Sequence, residues 1–473
     1  MMKVSILHIS DIHKSDNMTF SNLKHSLIRD SERWDEEGIQ HPDFIVLSGD
    51  VIQGGKTDEE IEQQYIEAEG FLAELCNEFL QGHRERMIIV PGNHDVSWPH
   101  CSKCVEKVDI TEDTIALYLR HIESNPLRWD WKKQKLFKIN INNGYTHRFD
   151  KFVEFYNRFY EGIYTFPDDV EHEALCIPFV EYRICFACFN SCYQNDHLND
   201  AGAISKDAIM SVENDLRKYY NQGMLPIGVW HHNAYGDPYQ SDYMSKEILD
   251  KLLEHRIKIG LYGHQHRSQV AEEHADLLAS EENSKRLLLV SSGTLYGGDR
   301  EQHKGIRRQF NIVELEMGNG EAKVSLHVRE DSNNDISSDD PYWRSKDLAG
   351  GAINYSVKFK KISEDDILRQ IDDDTRKEHN YVKGIRALRS LGFKNDEVNK
   401  LLDTYLKELA PNTLLSVLKE PEDINQCFLL IGAIDNEHDA EAFGRLKNSQ
   451  VLQSGIAKDS LLKEQFLQLS NKF

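Results

Sequence analysis

Met87-Ile88-Ile89-Val90-Pro91-Gly92-Asn93-His94-Asp95 is the stretch of this sequence that decides the fold. Its four leading residues are all apolar, which predicts a short strand buried on both faces, as in a parallel sheet. The strand stops at Pro91-Gly92, and an amide, an imidazole and a carboxylate follow at once. Because functional side chains in open α/β sheets gather at the carboxyl ends of strands, this turn predicts a ligand-bearing edge.

The same arrangement of an apolar run followed by polar side chains occurs at four other places before residue 267. These are Val4–Ile9 with Asp11 and His13, Phe44–Leu47 with Asp50, Ile227–Trp230 with His231 and His232, and Ile257–Tyr262 with His264 and His266. Helical patterns lie between the runs, and one of them opens at Thr57 with a capping box. Strands that alternate with helices predict an α/β domain.

Carboxylate, amide and imidazole side chains, with no thiolate, make up the candidate ligands. They are Asp11, His13, Asp50, Asn93, His231, His264 and His266. Such a mixed oxygen and nitrogen set suits manganese, iron or zinc in a catalytic site. Seven ligands exceed the needs of one ion with an open position and suit two ions about 4 Å apart with a carboxylate between them. We therefore predict a site for two divalent metal ions, with manganese favoured and iron or zinc as alternatives.

Asp-x-His, Gly-Asp, Gly-Asn-His-Asp, His and Gly-His-x-His occur in this order, and together they resemble the five signature blocks of the calcineurin-like metallophosphoesterases. The resemblance spans about residues 3 to 330 and implies two packed β-sheets flanked by helices. It also implies a division of the ligands: Asp11, His13 and His266 on the first metal, Asn93, His231 and His264 on the second, and Asp50 on both.

The resemblance also implies two catalytic residues. His94 would contact the phosphate and protonate the leaving oxygen, and Asp95 would orient His94 by accepting its other ring proton. Phosphoprotein phosphatases of this type usually carry Gly-Asp-x-x-Asp-Arg-Gly and Gly-Asn-His-Glu. Here residues 49–55 read Gly-Asp-Val-Ile-Gln-Gly-Gly, and the second block ends in Asp95. The sequence is therefore closer to phosphodiesterases and nucleases than to the Ser/Thr protein phosphatases.

The expected activity is hydrolysis of phosphoesters, foremost phosphodiesters, by a dinuclear-metal hydroxide with a histidine acid. One alternative is a nuclease subunit that acts on DNA or RNA with a partner, since Trp129–Lys135 mixes aromatic and basic residues. The favoured interpretation of that segment is a packed helix or loop with solvated lysines. A phosphomonoesterase and a non-catalytic metal-binding scaffold are the remaining alternatives. The substrate would be a phosphoester, with nucleotides or nucleic acid among the candidates.

Changes in sequence character divide the chain into two predicted domains. Residues 1–360 form the metallophosphoesterase domain, with an insertion or cap at about 100–175. From residue 361 to 473 glycine is rare and leucine and isoleucine recur at helical spacing, which predicts an all-α domain. Its apolar stripes need a partner surface, which its own helices, a second copy or another protein would supply.

Charge and cysteine content exclude some classes of protein. The net charge of −23 disfavours a protein that coats nucleic acid through a broad basic surface, although bound metals would still supply local positive charge in a nuclease. No apolar run approaches the roughly 18 residues that cross a bilayer. The first ten residues lack the features of a secretory signal, and the eight cysteines are scattered, so a reduced, cytoplasmic setting is expected.

Several other polar residues have simpler interpretations. His8 lies inside the first predicted strand and is expected to be a hydrogen-bonded core residue. His232 is expected to make no direct metal bond, because neighbouring residues at a strand end point apart. The pairs Cys101/Cys104 and Cys185/Cys188 are expected to be buried free thiols. Gly54–Thr57 has the wrong spacing for a phosphate-binding P-loop.

Overall fold

The computed structural model describes residues 2–13, 19–120, 125–140, 144–235, 242–274, 286–296, 306–333, 338–346, 353–391 and 393–473. The chain divides into two compact units. One comprises residues 3–179 and 183–361, and the other consists mainly of residues 362–473 with the short segment 180–182. No helix within the described ranges is long and apolar enough to cross a bilayer.

Strands dominate the first unit. In chain order they are β1 (Met2–Ile9), β2 (Phe44–Ser48), β3 (Met87–Val90), β4 (Val105–Val108), β5 (Leu127–Asp130), β6 (Lys135–Ile139), β7 (Leu175–Phe179), β8 (Ile184–Cys188), β9 (Leu225–Val229), β10 (Ile259–Tyr262), β11 (Gln269–His274), β12 (Arg286–Ser291), β13 (Gln309–Met317), β14 (Glu321–Asp331), β15 (Trp343–Ser345) and β16 (Ile353–Lys358).

Helices fill the connections of the first unit and form the second. They are α1 (Phe20–Ser31), α2 (Asp58–Leu80), α3 (Trp98–Lys103), α4 (Glu112–Tyr118), α5 (Asp150–Tyr160), α6 (Lys206–Ser211), α7 (Glu213–Asn221), α8 (Lys246–Glu254), α9 (Glu364–Glu378), α10 (Tyr381–Ser390), α11 (Asp396–Lys407), α12 (Pro411–Val417), α13 (Ile424–Glu437), α14 (Ala440–Asn448), α15 (Gln450–Ile456) and α16 (Ser460–Ser470). As predicted, α2 begins after Thr57, whose hydroxyl accepts a hydrogen bond from the Glu60 amide.

Two mixed sheets form the body of the first unit. One has the order β15-β14-β13-β1-β2-β3, with β16 beside β14, and the other has the order β11-β12-β10-β9-β8-β7. The strands β1, β2 and β3 are parallel to one another, and so are β8, β9, β10 and β12. Flanking helices and a helical C-terminal region complete the architecture, so the predicted fold class is confirmed.

Apolar composition explains why these strands lie at the centre. Every residue of β2, β3, β9 and β10 is buried, as the continuous apolar runs predict for strands covered on both faces. Helix α5 packs on α2 in the main core through the buried aromatic side chains Phe152, Phe155 and Tyr156. The predicted insertion therefore contributes a core helix to this unit.

The predicted insertion also contains a small antiparallel sheet with the order β4-β6-β5. The Trp129–Lys135 segment is the β5–β6 hairpin, so its interpretation as a helix or packed loop is wrong. Trp131, at the turn of the hairpin, is 78% exposed. The strands are short and carry several charged residues, so the sequence has no apolar run that would predict them.

The second unit is wholly helical in its described part, from α9 to α16. Its core contains leucines and isoleucines at helical spacing, such as Ile385, Leu406 and Ile434, all of them buried. Glycine is scarce there, and asparagine, aspartate or serine caps most of the helices, which makes the boundaries readable from sequence.

Candidate metal centre

The five predicted ligand segments meet because the strands that precede them end side by side. In the first sheet, Ile9 pairs in register with Leu47, and Ser48 pairs in register with Val90. In the second sheet, Val229 is level with Leu261. The two edges are joined directly, since the amide of His264, which follows β10, donates to Oδ2 of Asp11, which follows β1, at 3.2 Å.

One half of the cluster contains Asp11, His13 and His266. Their ligand atoms all lie within 4.8 Å of one another. The Nε2 atom of His266 is 3.2 Å from Oδ1 of Asp11. His13 and Asp50 form a second such group with His94. A carboxylate and imidazoles from both sheets therefore converge on one point.

The other half contains Asn93, His231, His264 and Asp50. The Nε2 atom of His231 lies 3.0 Å from Oδ1 of Asn93 and 3.2 Å from Oδ2 of Asp50. Oδ1 of Asn93 is also 3.0 Å from Nδ1 of His264. The structure thus brings together all seven residues that the sequence singled out as ligands.

A hydrogen bond to a backbone carbonyl fixes the orientation of the His231 ring. Its Nδ1 atom lies 2.8 Å from the carbonyl oxygen of Ser48, which only accepts hydrogen bonds, so this nitrogen carries the proton. In the neutral ring, Nε2 then presents a lone pair towards Asp50 and Asn93. A histidine that donates one ring N–H to a carbonyl and turns the other nitrogen inward has the usual arrangement of a metal ligand.

Four candidate ligands have left-handed backbone conformations. Their φ angles are 53° for Asp11, 55° for Asp50, 73° for His264 and 51° for His266. Asp11–His13 and His264–His266 are therefore not extended segments, although their side chains converge. Non-glycine residues rarely adopt such angles, and they cluster at functional sites, where surrounding contacts hold them in place.

Two glycines allow the ligand loops to pack tightly. A Cβ atom on Gly92 would lie 2.1 Å from Oδ1 of Asp50, and one on Gly263 would lie 1.8 Å from Oγ of Ser10. Neither distance is compatible with a side chain. Glycine at these positions is therefore required by close approach to the ligand loops.

Burial and pairing shift the ionisation of the acidic ligands. Burial alone would raise the pKa of Asp11, but contact with His266 lowers it to about 2. Burial likewise opposes ionisation of Asp50, yet the neighbouring His231 holds the pKa of Asp50 well below its usual range. In return, Asp50 overcomes the effect of burial on His231 and raises the pKa of that imidazole to about 9.

His94 faces the cluster but is not oriented by Asp95. Its ring is stacked on that of His13 with centroids 4.9 Å apart, and its Nδ1 atom donates to the carbonyl oxygen of Gln53 at 2.9 Å. The prediction that Asp95 accepts this proton is wrong. A backbone carbonyl fixes the tautomer of His94 without adding a formal negative charge beside it.

Asp95 instead bonds to both loops that carry candidate ligands, the one after β2 and the one after β3. Its buried carboxylate accepts hydrogen bonds from the amides of Val51 and Gly92 at 3.2 and 2.8 Å and from the hydroxyl of Tyr65 at 3.0 Å. Burial and the charge of Asp50 raise the pKa of Asp95 to about 7, against these three donors. Val51 follows Asp50, and Gly92 precedes Asn93, so Asp95 positions the backbone at both ligands.

Sequence reasoning missed several supporting residues. Tyr65 reaches Asp95 from α2, and Ser191 accepts from the amides of both His231 and His232. Oδ2 of Asp242 lies 3.4 Å from Nε2 of His264. Each contact joins segments far apart in the chain, and none of these residues belongs to a local motif. Only the folded arrangement reveals them.

The simpler interpretations hold for His8 and for the cysteine pairs. His8 is fully buried, bonds through Nε2 to the Ser48 hydroxyl at 3.0 Å, and has a pKa lowered to about 3 by burial. His232 bonds to Ser191 through Nδ1, which leaves the absence of a metal bond a prediction. The two predicted cysteine pairs are free and buried, as expected. They are Cys101, Cys104, Cys185 and Cys188.

The donor set fits divalent cations. Asp11 and Asp50 are completely buried, and their oxygen atoms lie within 4.8 Å of each other and of His231. Two like charges this close in a buried site are unfavourable unless positive charge lies between them. Carboxylate oxygen, amide oxygen and imidazole nitrogen are the donors that borderline and harder divalent metals prefer.

Comparison with known proteins places these motifs in a family. The family model described as calcineurin-like phosphoesterase matches residues 4–268, a range that holds all seven candidate ligands. No curated protein sequence matches the chain. Among solved structures, an anchor protein of the inner membrane complex of Plasmodium has a TM-score of 0.35 and 11% identity, over 79% of this chain and 95% of that one. A dimetal phosphatase from Danio rerio has a TM-score of 0.35 and 10% identity, over 76% and 99%.

Proposed function

Since this chain belongs to the calcineurin-like phosphoesterase family, we propose that it is a dinuclear metal-dependent hydrolase that cleaves phosphodiesters. The observation that carries the proposal is the convergence of seven oxygen and nitrogen ligands, two of them buried carboxylates, with the His94 ring beside them. Metal binding alone would need no such histidine. Hydrolysis does, because the leaving oxygen must be protonated.

The ligand assignment follows the two halves of the cluster. The first metal would be held by Asp11, His13 and His266, the second by Asn93, His231 and His264, and both by Asp50. When bound, a pair of divalent ions supplies charge for the phosphate oxygens and a nucleophile at neutral pH. Manganese is the first candidate, and iron or zinc would suit the same donors.

His94 is proposed as the general acid. Its Nδ1–H is engaged by the Gln53 carbonyl, so Nε2 is the nitrogen available to the substrate. In the reaction, the oxygen of water forms a bond to phosphorus, and the bond from phosphorus to the leaving oxygen breaks. His94 acts as the imidazolium, which carries a proton on Nε2 as well as on Nδ1, and the leaving oxygen takes the Nε2 proton. The proton released by water balances the proton that the leaving group gains.

A diester is preferred over a monoester on grounds of charge. Gln53 and Gly54 stand where the phosphoprotein phosphatase motif has its second aspartate and its arginine. An arginine at that place would pair with the extra charge of a monoester dianion. Its absence suits a diester, which carries a single negative charge.

Substitution of His94 by asparagine tests the proposal. We expect kcat for a dithymidine dinucleotide, whose alkoxide leaving group must be protonated, to fall about a hundredfold or more, because general acid catalysis is lost. The loss on bis-p-nitrophenyl phosphate should be smaller, because p-nitrophenolate leaves without a proton. The bound metal, measured by mass spectrometry, should stay at the wild-type level. Wild-type turnover of p-nitrophenyl phosphate, a monoester, should be slower than that of the diester.

His100→Asn is the matched control. His100 bonds through Nε2 to the carbonyl of Gly144 and belongs to none of the ligand groups, so kcat should not change. Wild-type turnover by the His94 variant would contradict the role of the acid. Faster hydrolysis of the monoester would favour a phosphomonoesterase, and metal-loaded protein inactive on both esters would favour a binding scaffold.

A further inference from the structure

A buried serine outside the five ligand segments makes three hydrogen bonds next to one of them. Ser191 lies shortly after β8, and its Oγ atom accepts from the amides of His231 at 3.0 Å and His232 at 2.9 Å. The same Oγ atom lies 3.0 Å from Nδ1 of His232. All three side chains are completely buried. One hydroxyl therefore fixes the backbone after β9, where the candidate ligand His231 lies.

The bonds of Ser191 also determine the tautomer of His232. A hydroxyl has one proton and two acceptor lone pairs, and the two amides occupy both lone pairs of Ser191. The proton of Ser191 is therefore donated to Nδ1 of His232. The neutral ring then carries its own proton on Nε2. In this tautomer neither nitrogen of His232 has a lone pair left for a metal ion, so the contribution of this ring to the site lies in its packing.

The ring of His232 packs against both Gly202 and the candidate ligand His264. Its centroid lies 4.7 Å from the centroid of the His264 ring, with an angle of 44° between the two planes. A Cβ atom on Gly202 would lie 2.4 Å from Cβ of His232 and 2.5 Å from its Cγ. The amide of Ala203 donates to the carbonyl of Ser191 at 2.9 Å, which holds residue 202 in this place. The position of His232 therefore constrains that of the His264 ring.

The two histidines that receive this support belong to the same half of the cluster. Nε2 of His231 and Nδ1 of His264 both lie 3.0 Å from Oδ1 of Asn93, and they lie 3.2 Å from each other. In the other half, the ring of His13 packs against that of His266, with centroids 5.3 Å apart. Loss of the support from Ser191 should therefore affect the second half of the cluster more than the first.

We propose that Ser191 is a positioning residue for the second metal ion of the pair. It fixes His231 through the backbone and His264 through the ring of His232. Residues that hold metal ligands in place typically contribute about ten- to a hundredfold to metal affinity. The proposal rests on the dinuclear site of the proposed function, but the binding of metal can be measured without any hydrolysis.

The experiment titrates the metal-free full chain with Mn²⁺ and follows binding by electron paramagnetic resonance. An isolated Mn²⁺ ion and a coupled pair give different spectra, so the loss of one ion is distinguished from the loss of both. Ser191→Ala should bind the first ion as tightly as the wild type and the second at least about tenfold more weakly. A general defect in folding would weaken the binding of both ions alike.

Gly202→Ala is a second variant that keeps every hydrogen bond of Ser191. The new methyl group would overlap the side chain of His232, whose ring must then move relative to that of His264. We again expect the second ion to bind about tenfold more weakly, with the first unchanged. Circular dichroism shows whether each variant is folded, and Gly202→Ala decides the question if Ser191→Ala is not.

Ser26→Ala is the matched control. The buried Ser26 hydroxyl accepts from Nε1 of Trp343 at 2.9 Å and donates to the carbonyl of Leu23 at 2.7 Å, outside the ligand groups. This variant should bind both ions as the wild type does. The proposal fails if folded Ser191→Ala and Gly202→Ala chains bind the second ion as tightly as the wild type, if they lose both ions alike, or if the wild type binds fewer than two. A wild type that holds two ions but cleaves no phosphoester would contradict the proposed function alone.

Discussion

At the scale of single residues, Asp95 shows how a residue singled out from its motif can make different contacts from those assumed. The sequence places it beside His94, and the resemblance suggested that it orients that ring. In the structure its carboxylate holds the amides of Val51 and Gly92. The hydroxyl of Tyr65, which reaches the carboxylate from α2, is its third donor, and His94 bonds to the Gln53 carbonyl instead.

Tyr65→Phe is predicted to weaken the metal site and the fold together. Removal of the hydroxyl leaves Oδ1 of the buried Asp95 without a donor, which costs about 1–3 kcal/mol of stability. Because Asp95 positions the backbone at Asp50 and Asn93, we also expect the affinity for Mn²⁺ to fall about tenfold. Chemical denaturation and metal titration measure the two effects.

Tyr164→Phe serves as the control for the tyrosine substitution. The Tyr164 hydroxyl donates to the carbonyl of Glu85, outside the ligand groups. Tyr164→Phe should lower the free energy of unfolding and leave the affinity for Mn²⁺ unchanged. Equal metal affinity in wild type and Tyr65→Phe would show that Asp95 does not support the ligands in the way described.

At the scale of elements, the strands could be predicted and the turns after them could not. Continuous apolar runs such as Phe44–Leu47 and Met87–Val90 mark strands buried on both faces. The left-handed conformations of Asp11 and His264 could not be predicted, since local preference opposes them. They are imposed by contacts between distant segments, such as the hydrogen bond from the His264 amide to Asp11 at 3.2 Å.

Gly92→Ala is predicted to disrupt the turn after β3. The new methyl group would lie 2.1 Å from Oδ1 of Asp50, so that carboxylate must move. We expect loss of most bound metal and a fall of about a hundredfold or more in diester turnover. Metal analysis of the purified variant, together with its kcat, checks this expectation.

Gly70→Ala, in the middle of α2, is the matched control. A Cβ atom there meets nothing within 4 Å, and alanine is favoured over glycine inside a helix by about 1 kcal/mol. This variant should be at least as stable as the wild type and equally active. Full metal content in Gly92→Ala would contradict the close packing of Gly92 against Asp50.

At the scale of the whole molecule, the helical tail and the convergence of the seven candidate ligands could be predicted, but the distribution of strands between sheets could not. The helical tail could be predicted because leucine and isoleucine recur there at helical spacing. Nothing local in the sequence says that β1, β2 and β3 share one sheet while β9 and β10 lie in the other. Pairing between strands far apart in the chain decides this, and the family resemblance supplied the expectation of two sheets.

The small β4-β6-β5 sheet was missed because its strands are short and carry charged residues. A strand such as Val105–Val108, with Glu106 and Lys107 at its centre, does not stand out from a loop. Only the tertiary arrangement reveals this sheet.

The central claim is that the two sheets jointly bind a pair of divalent ions, and the metal content of the full chain measures it most directly. After removal of metal and reconstitution with Mn²⁺, mass spectrometry should find two ions per chain in the wild type. Asp50→Asn should retain at most one, because Asp50 lies between the two halves of the cluster. A wild-type chain that binds one ion or none, or an Asp50→Asn chain that keeps two, would contradict the account.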